Sequence, residues 1–192
     1  SLVELLSKQS PIPIREAQEG ERVQPNQAYV IPPGKAMSIR NRTLLLEDRT
    51  EHPGLTHSIN LFFRSLAEDV RERAVGVILS GTGSDGTEGA RAIKAQDGLV
   101  IVQDPATAKY DGMPRAAIEA GMADYILPPE AMPGKLIEYL HQSFYKRDQI
   151  RQSLKKEDAK LKSIFSLVKA RTGRDFSGYK ISSINRRIEH RM

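Results

Sequence analysis

The apolar residues fall into segments of different period. Leu2 to Leu6 has the spacing of a helix tail, and Pro11-Ile12-Pro13-Ile14 breaks that helix and opens an extended stretch. Ala28 to Ile31 and Met37 to Ile39 flank Pro32-Pro33-Gly34-Lys35, and Thr43 to Leu46 follows Asn41-Arg42, so this region predicts short antiparallel strands. Glu47 to Thr56 is polar and contains Pro53-Gly54, which predicts a loop. Ile59, Phe62, Phe63, Leu66 and Val70 then recur at helical spacing, with Ser58 as the expected cap.

From Ala74 the pattern changes. Ala74 to Leu79, Leu99 to Val102 and Tyr125 to Leu127 are short runs rich in β-branched residues. They alternate with a helix carrying Ala90, Ile93 and Lys94 and another from Pro114 to Ala120. Strand, loop, helix, strand is a crossover unit and calls for a parallel sheet with helices on its faces. Met132 to Tyr145 reads as a closing helix, and helical character extends to Ala170, with Leu161, Ile164, Phe165 and Val168 on one stripe until Thr172-Gly173 stops it. A last helix begins near Ser182, with Ile184 and Ile188 on one side and Arg187 and Arg191 on another. The expected fold class is α/β: a doubly wound parallel sheet with a peripheral antiparallel hairpin, then a helical linker and a small helical element.

A chain of 192 residues with 39% hydrophobic residues supports one sizeable core and an appendage, not two full domains. Cysteine is absent, which excludes a disulfide framework and thiolate metal sites and leaves a reducing compartment, the cytoplasm, as the expected location. No apolar run is long enough to span a bilayer, and no export signal is expected at the N-terminus. The net charge of +5 is concentrated beyond Tyr145, as suits either an acidic partner or a solvated helix face. Nucleic acid is not the expected partner, because the aromatics near the arginines, Phe176 and Tyr179, are few and no groove-reading motif is present.

The segment Ser80-Gly81-Thr82-Gly83-Ser84-Asp85-Gly86 sits where a parallel strand ends and a helix begins, the usual place for sites in open α/β sheets. Three uses of it are open. Gly81-x-Gly83-x-x-Gly86 matches the dinucleotide fingerprint, with Asp104 at about the 20-residue offset of a ribose-binding acid. Against this, Asp85 would set a carboxylate beside the pyrophosphate, and the unit lies well inside the chain. The glycines could alternatively serve only a tight turn. In the third use, Asp85 orients the histidine of a nucleophilic triad by accepting the imidazole N–H, fixing its tautomer and stabilising the imidazolium.

Val75-Gly-Val-Ile-Leu-Ser-Gly-Thr-Gly-Ser-Asp85-Gly-Thr-Glu-Gly89 closely resembles the motif of the CheB-type protein-glutamate methylesterases. The resemblance continues in order through Glu19-Gly20, Pro25, Tyr29, Ile31 to Gly34, Ser58 to Ala67, Val102 to Ala106, Gly112 to Ala117, Gly121 and Asp124 to Pro128. Phe165, Thr172 to Ser177, Tyr179-Lys180, Ile184 to Ile188 and Arg191-Met192 resemble the start of the CheR-type receptor methyltransferases. The layout is that of CheB/CheR fusion proteins, and Leu79 to Gly83 and Ala108 to Pro114 are closer in wording to those than to stand-alone esterases. It implies residues 1–145 as the C-terminal portion of a methylesterase domain, 146–170 as a linker with the first methyltransferase helix, and 171–192 as the start of the methyltransferase helical domain.

The resemblance implies hydrolysis of glutamyl methyl esters on the signalling helices of methyl-accepting receptors, with release of methanol and with glutamine deamidation as a second reaction. A serine attacks, a histidine acts as base and an aspartate orients it; Asp85 matches the aspartate, and Gly81, Thr82, Gly83, Ser84, Gly86, Met113 and Pro114 match the active-site loops. No metal or organic cofactor is implied for that reaction; S-adenosylmethionine serves the downstream methyltransferase, most of whose site lies beyond these residues. In the family the serine and histidine precede the helix with which this sequence opens, and Ser84, His52 and His57 are not expected to replace them, so the chain alone is expected to be inactive. His141 and His190 are expected to be ordinary histidines. Thr82 stands where stand-alone enzymes usually have methionine, and Asn60 where they often have aspartate, a place where it would cap or pack. Arg186, Arg187 and Arg191 match arginines that recognise the receptor, and planar guanidinium groups suit an acidic helix. An upstream phosphorylated receiver or other signalling domain is a further implied partner. The family's preceding part is expected to supply further strands to the sheet; without them a sheet edge is bare, a self-association hazard.

Overall fold

The computed structural model describes residues 2–49, 57–141, 163–164, 166–167, 169–171 and 173. The chain divides into two units, Ser1–Pro133 and Gly134–Met192. The first contains, in order, α1 (Leu2–Ser7), β1 (Ile14–Glu16), β2 (Ala28–Val30), β3 (Lys35–Arg40), β4 (Thr43–Asp48), α2 (Ser58–Val70), β5 (Val75–Ile78), α3 (Thr87–Ala95), β6 (Leu99–Gln103), α4 (Gly112–Glu119) and β7 (Tyr125–Leu127).

The run-and-helix alternation beyond Ala74 forms a three-stranded parallel sheet in the order β5-β6-β7, with Val77 beside Ile101 and Ile101 beside Tyr125. Central β6 is buried at all of its residues, which is why Leu99 to Val102 is apolar without alternation. The outer strand β5 alternates instead: Gly76 and Ile78 are buried, whereas Val77 is exposed. One core joins Ile78, Val100 and Val102 of the sheet to Phe63 and Ala67 of α2, Ala90 and Ile93 of α3, and Ala117 of α4.

A second core lies under the hairpin, where Met37, Ile39 and Leu44 pack with Ala17. Phe62 and Leu66 touch both cores, so α2 has the sheet on one side and the hairpin on the other. The hairpin turn is Asn41-Arg42, both with positive φ (51° and 60°), the requirement of the tight turn that matches strand twist. Arginine is an unusual occupant, and its N–H is held by Asp69 Oδ2 of α2 at 3.0 Å.

The expectation for the N-terminal strands is corrected in one respect. Antiparallel pairing holds for β3 with β4, but β2 pairs in parallel with β1, Ile14 opposite Ala28. Pro32 and Pro33, which lack N–H groups, separate β2 from β3, and the backbone of β2 turns to the earlier extended segment through Ala17 N–H to Val30 O (2.9 Å) and Ala28 N–H to Pro13 O (2.9 Å). Glu47 and Asp48 belong to β4 and not to the following loop, of which residues 50–56 lie outside the described residues. Helix α4 starts at Gly112, ahead of Pro114, since proline without a donor is tolerated in a first turn.

In the second unit the described residues 134–141 are helical, and Lys135 pairs with Glu138 at 2.9 Å. Gly173, with φ 70°, donates its N–H to Lys169 O at 2.9 Å, the left-handed stop expected there. Leu161, Phe165 and Val168, and the last helix with Arg186, Arg187 and Arg191, lie outside the described residues.

Helices α2 and α3 cross where Gly89 has no side chain: a Cβ there would sit 2.5 Å from Phe63 Cβ and 3.0 Å from Asn60 Cα. Gly89→Ala should therefore destabilise the protein by ~1–3 kcal/mol through overpacking, outweighing alanine's helix propensity of about 1 kcal/mol. Urea unfolding checks this as a lower midpoint at constant slope.

Candidate active site

At the end of β5 the backbone leaves the ladder and its polar groups are taken up by the neighbouring segment. Ser80 N–H donates to Gln103 Oε1 (2.8 Å), a nearly fully buried side chain whose Nε2 in turn donates to Thr107 Oγ1 (3.2 Å). Ser80 Oγ accepts from Tyr110 N–H (2.9 Å) and donates to Tyr110 O (3.2 Å). Gly81 N–H donates to Tyr110 O and Gly81 O accepts from Met113 N–H, both at 2.9 Å. These bonds weld the loop after β5 to the segment leading into α4.

Glycine eases the close approach at the weld. A Cβ on Gly81 would lie 2.3 Å from Met113 Sδ, and one on Gly112 would lie 3.0 Å from Gly83 N. Gly83 and Gly86 take φ values of 78° and 96°, the left-handed region that glycine enters without cost. Thr82, Gly83 and Ser84 are exposed, Asp85 is half-buried, and Gly86 and Pro114 are buried. The structure thus brings Gly81 and Gly83 against Met113 and its neighbour Gly112, at the C-terminal ends of β5 and β6.

Asp85 does more in this loop than its sequence position suggests. Its Oδ2 accepts from Ile59 N–H (3.1 Å), and its Oδ1 accepts from Asn60 N–H (3.0 Å) and Gly86 N–H (2.9 Å). Ile59 and Asn60 lie in the first turn of α2, whose N-cap residue His57 makes no side-chain cap; nor is Ser58 the cap, as its spacing predicts. The cap comes instead from Asp85, and a carboxylate suits the place because a helix N-terminus offers unpaired N–H groups and a partial positive charge. Asn60 returns the bond: its Oδ1 accepts from Gly86 N–H (3.0 Å) and Gly89 N–H (2.8 Å) at the start of α3. The two helices cap one another. Asn60, expected to cap or pack where stand-alone enzymes often have aspartate, does cap, and it caps the start of α3 and not that of its own helix.

This arrangement does not favour nucleotide binding by Gly81, Gly83 and Gly86. The α3 N–H groups that a pyrophosphate would need are occupied by Asn60 Oδ1, with the Asp85 carboxylate alongside. Asp104 is also engaged, accepting from Ala106 N–H (2.9 Å) at the turn after β6. Beside the weld, Asp111 and Arg115 form an ion pair along α4. The Arg115 hydrogen bond is the main cause holding the Asp111 carboxyl below its usual range, and it raises the Arg115 guanidinium in turn.

The family described as CheB methylesterase matches residues 1–136. The chain belongs to this CheB methylesterase family. A protein-glutamate methylesterase/protein-glutamine glutaminase of Moorella thermoacetica is 40% identical over 134 residues, covering 67% of this chain and 32% of that protein. An uncharacterized 104.1 kDa protein of Rhodobacter capsulatus is 37% identical over 139 residues, 72% of this chain and 14% of its own length. The crystal structure of the Thermotoga maritima CheB methylesterase catalytic domain superposes with a TM-score of 0.61 at 33% identity, covering 72% of this chain and 75% of that one. Residues 159–192 match the CheR methyltransferase all-alpha domain. This CheB-family chain spans about a third of the Moorella relative and less of the Rhodobacter one.

Asp85→Ala should lower stability by ~1–2 kcal/mol by freeing the α2 N–H groups, and Asp85→Asn by less, since one oxygen remains an acceptor; thermal melts of the two variants measure the difference. Arg115→Ala should return the Asp111 titration upward toward the ordinary carboxylate range, as followed by carboxyl-carbon NMR. The sign follows from a depressed folded value: the pair's contribution is present at neutral pH and is lost as pH falls through that lowered value.

Proposed function

We propose that this chain is part of a chemotaxis-type receptor-modification protein that hydrolyses γ-glutamyl methyl esters on receptor signalling helices, with Asp85 as the acid of a serine–histidine–aspartate triad. The observation that carries the reading is the way Asp85 is held at the end of β5. Oδ1 takes two N–H donors and Oδ2 takes one, which leaves Oδ2 with acceptor capacity for an imidazole N–H. A carboxylate held by backbone amides on two helices is a rigid anchor for a base.

In the proposed reaction the histidine removes the serine proton as the serine oxygen attacks the ester carbonyl. The tetrahedral species collapses with methanol as leaving group, protonated by the same imidazole, and water then releases the glutamate carboxylate from the acyl-enzyme. Attack on a glutamine amide would follow the same course with ammonia leaving, and the double name of the Moorella relative fits that second activity. Ester hydrolysis of this kind calls for no metal or organic cofactor.

Among the described residues Asp85 has no histidine partner and Ser84 is exposed on the same loop, while His52 lies outside the described residues; the resemblance supports a serine and a histidine supplied by the segment that precedes α1 in the family. The match at residues 159–192 supports a methyltransferase on the same polypeptide, dependent on S-adenosylmethionine bound mostly outside these residues, with Arg186, Arg187 and Arg191 recognising the acidic receptor helix. A phosphorylated receiver as a two-component partner and a cytoplasmic location complete the proposal. Among the described residues no helix is long and apolar enough to cross a membrane.

The test is Asp85→Asn in the full-length protein with methylated receptor as substrate. Turnover should fall by roughly 10⁴ with the fold retained. Methanol release at the wild-type rate would reject the triad role.

A further inference from the structure

We propose that Asn60 is a positioning residue for the esterase reaction: its carboxamide oxygen fixes Asp85 against the starts of α2 and α3 while adding no charge beside it. The inference rests on the reading of Asp85 as the histidine-orienting acid and extends it to a residue that makes no contact with the reacting atoms.

Asn60 and Asp85 close a ring of hydrogen bonds between α2 and the start of α3. Asn60 N–H donates to Asp85 Oδ1 at 3.0 Å, and Asn60 Oδ1 accepts from Gly86 N–H at 3.0 Å and Gly89 N–H at 2.8 Å. Gly86 N–H is shared, because it also donates to Asp85 Oδ1 at 2.9 Å. Asp85 therefore cannot slide along α2 without breaking bonds made by both the backbone and the side chain of Asn60. The rest of the ring has no slack: a Cβ on Gly86 would lie 3.1 Å from Ile59 Cγ2, and one on Gly89 would lie 3.2 Å from Asn60 O.

An aspartate, which stand-alone enzymes of the family often carry at this place, would bind a helix N-terminus better than an amide does. Here the acceptor of residue 60 shares one hydrogen with Asp85 Oδ1, so a charge on it would bear directly on the Asp85 carboxylate. The neutral amide supplies the geometry and leaves a single negative charge to face the histidine. The surrounding charged groups are already matched: Glu88 with Arg91 on α3 at 3.4 Å, and Asp111 with Arg115 on α4. His57 precedes α2, and Arg64, Glu68 and Asp69 lie further along it.

The experiment measures the pH dependence of kcat and kcat/KM for methyl-ester hydrolysis by the full-length protein, with Asn60→Ala, Asn60→Asp and Asp85→Asn beside the wild type, each checked by thermal melting. Asn60→Ala should lose about 10²-fold in kcat through misplacement of the acid, with KM unchanged. Asn60→Asp keeps the acceptor and the shape and adds a charge that stabilises the imidazolium. Its acid limb should move to higher pH, with turnover recovered above it. Should Asn60→Ala fail to fold, the near-isosteric aspartate variant still decides. Asn60 variants that melt lower yet keep wild-type turnover and pH profile, while Asp85→Asn is inactive, would reduce Asn60 to a structural cap. An active Asp85→Asn would overturn the esterase reading itself and this proposal with it.

Discussion

Two helix N-termini brought together repel, because each carries a partial positive charge of roughly half a unit and several unpaired N–H groups. In this protein α2 and α3 begin side by side, and what permits it is one carboxylate and one carboxamide exchanged between them. Asp85 supplies the negative charge to α2, and Asn60 supplies a neutral acceptor to α3. Glycines at 86 and 89 let the backbones come close enough for the exchange. Both helices also pack onto Ile78, Val100 and Val102.

The same constraint ties the site to distant parts of the unit. Phe62 and Leu66 carry contacts to the hairpin core, while Phe63 and Ala67 face the sheet core, so α2 transmits the placement of the hairpin to its own first turn. On the other side, Gln103 and Ser80 fasten the strand ends to the segment before α4. The acid at the strand end is held from the hairpin side through α2 and from the sheet side through β6. It is an anchored group on a loop that would otherwise be short, glycine-rich and free to move.

Much of this was legible in the order of residues. The β-branched runs of β5, β6 and β7 and the helical periods of α2 and α3 read directly, since a buried parallel strand and a two-sided helix each impose a pattern on their own residues. What could not be read was pairing between segments. Nothing in Ala28 to Val30 reveals that its partner is Ile14 to Glu16, because both are short and the choice is decided by the prolines that follow. Ser58 had the right chemistry for a cap, but the capping oxygen came from Asp85, far along the chain and adjacent only after folding. Asp85 is legible from its place in a loop at a strand end and from the family motif around it; its bonding to α2 is not.

The glycine spacing of this loop has a consequence for reading other sequences. Gly81, Gly83 and Gly86 reproduce the spacing of a phosphate-binding turn, yet here Gly81 meets methionine sulfur, Gly83 serves a positive φ, Gly86 meets isoleucine, and the helix start beyond them is filled by an amide oxygen. The spacing records how closely two pieces of chain approach and says nothing by itself about an anion. The distinguishing marks are an acid immediately before the third glycine and an acceptor side chain in the first turn of the preceding helix. Here both occur, so the start of the following helix is already spent on the protein and the place a nucleotide would need is closed from within.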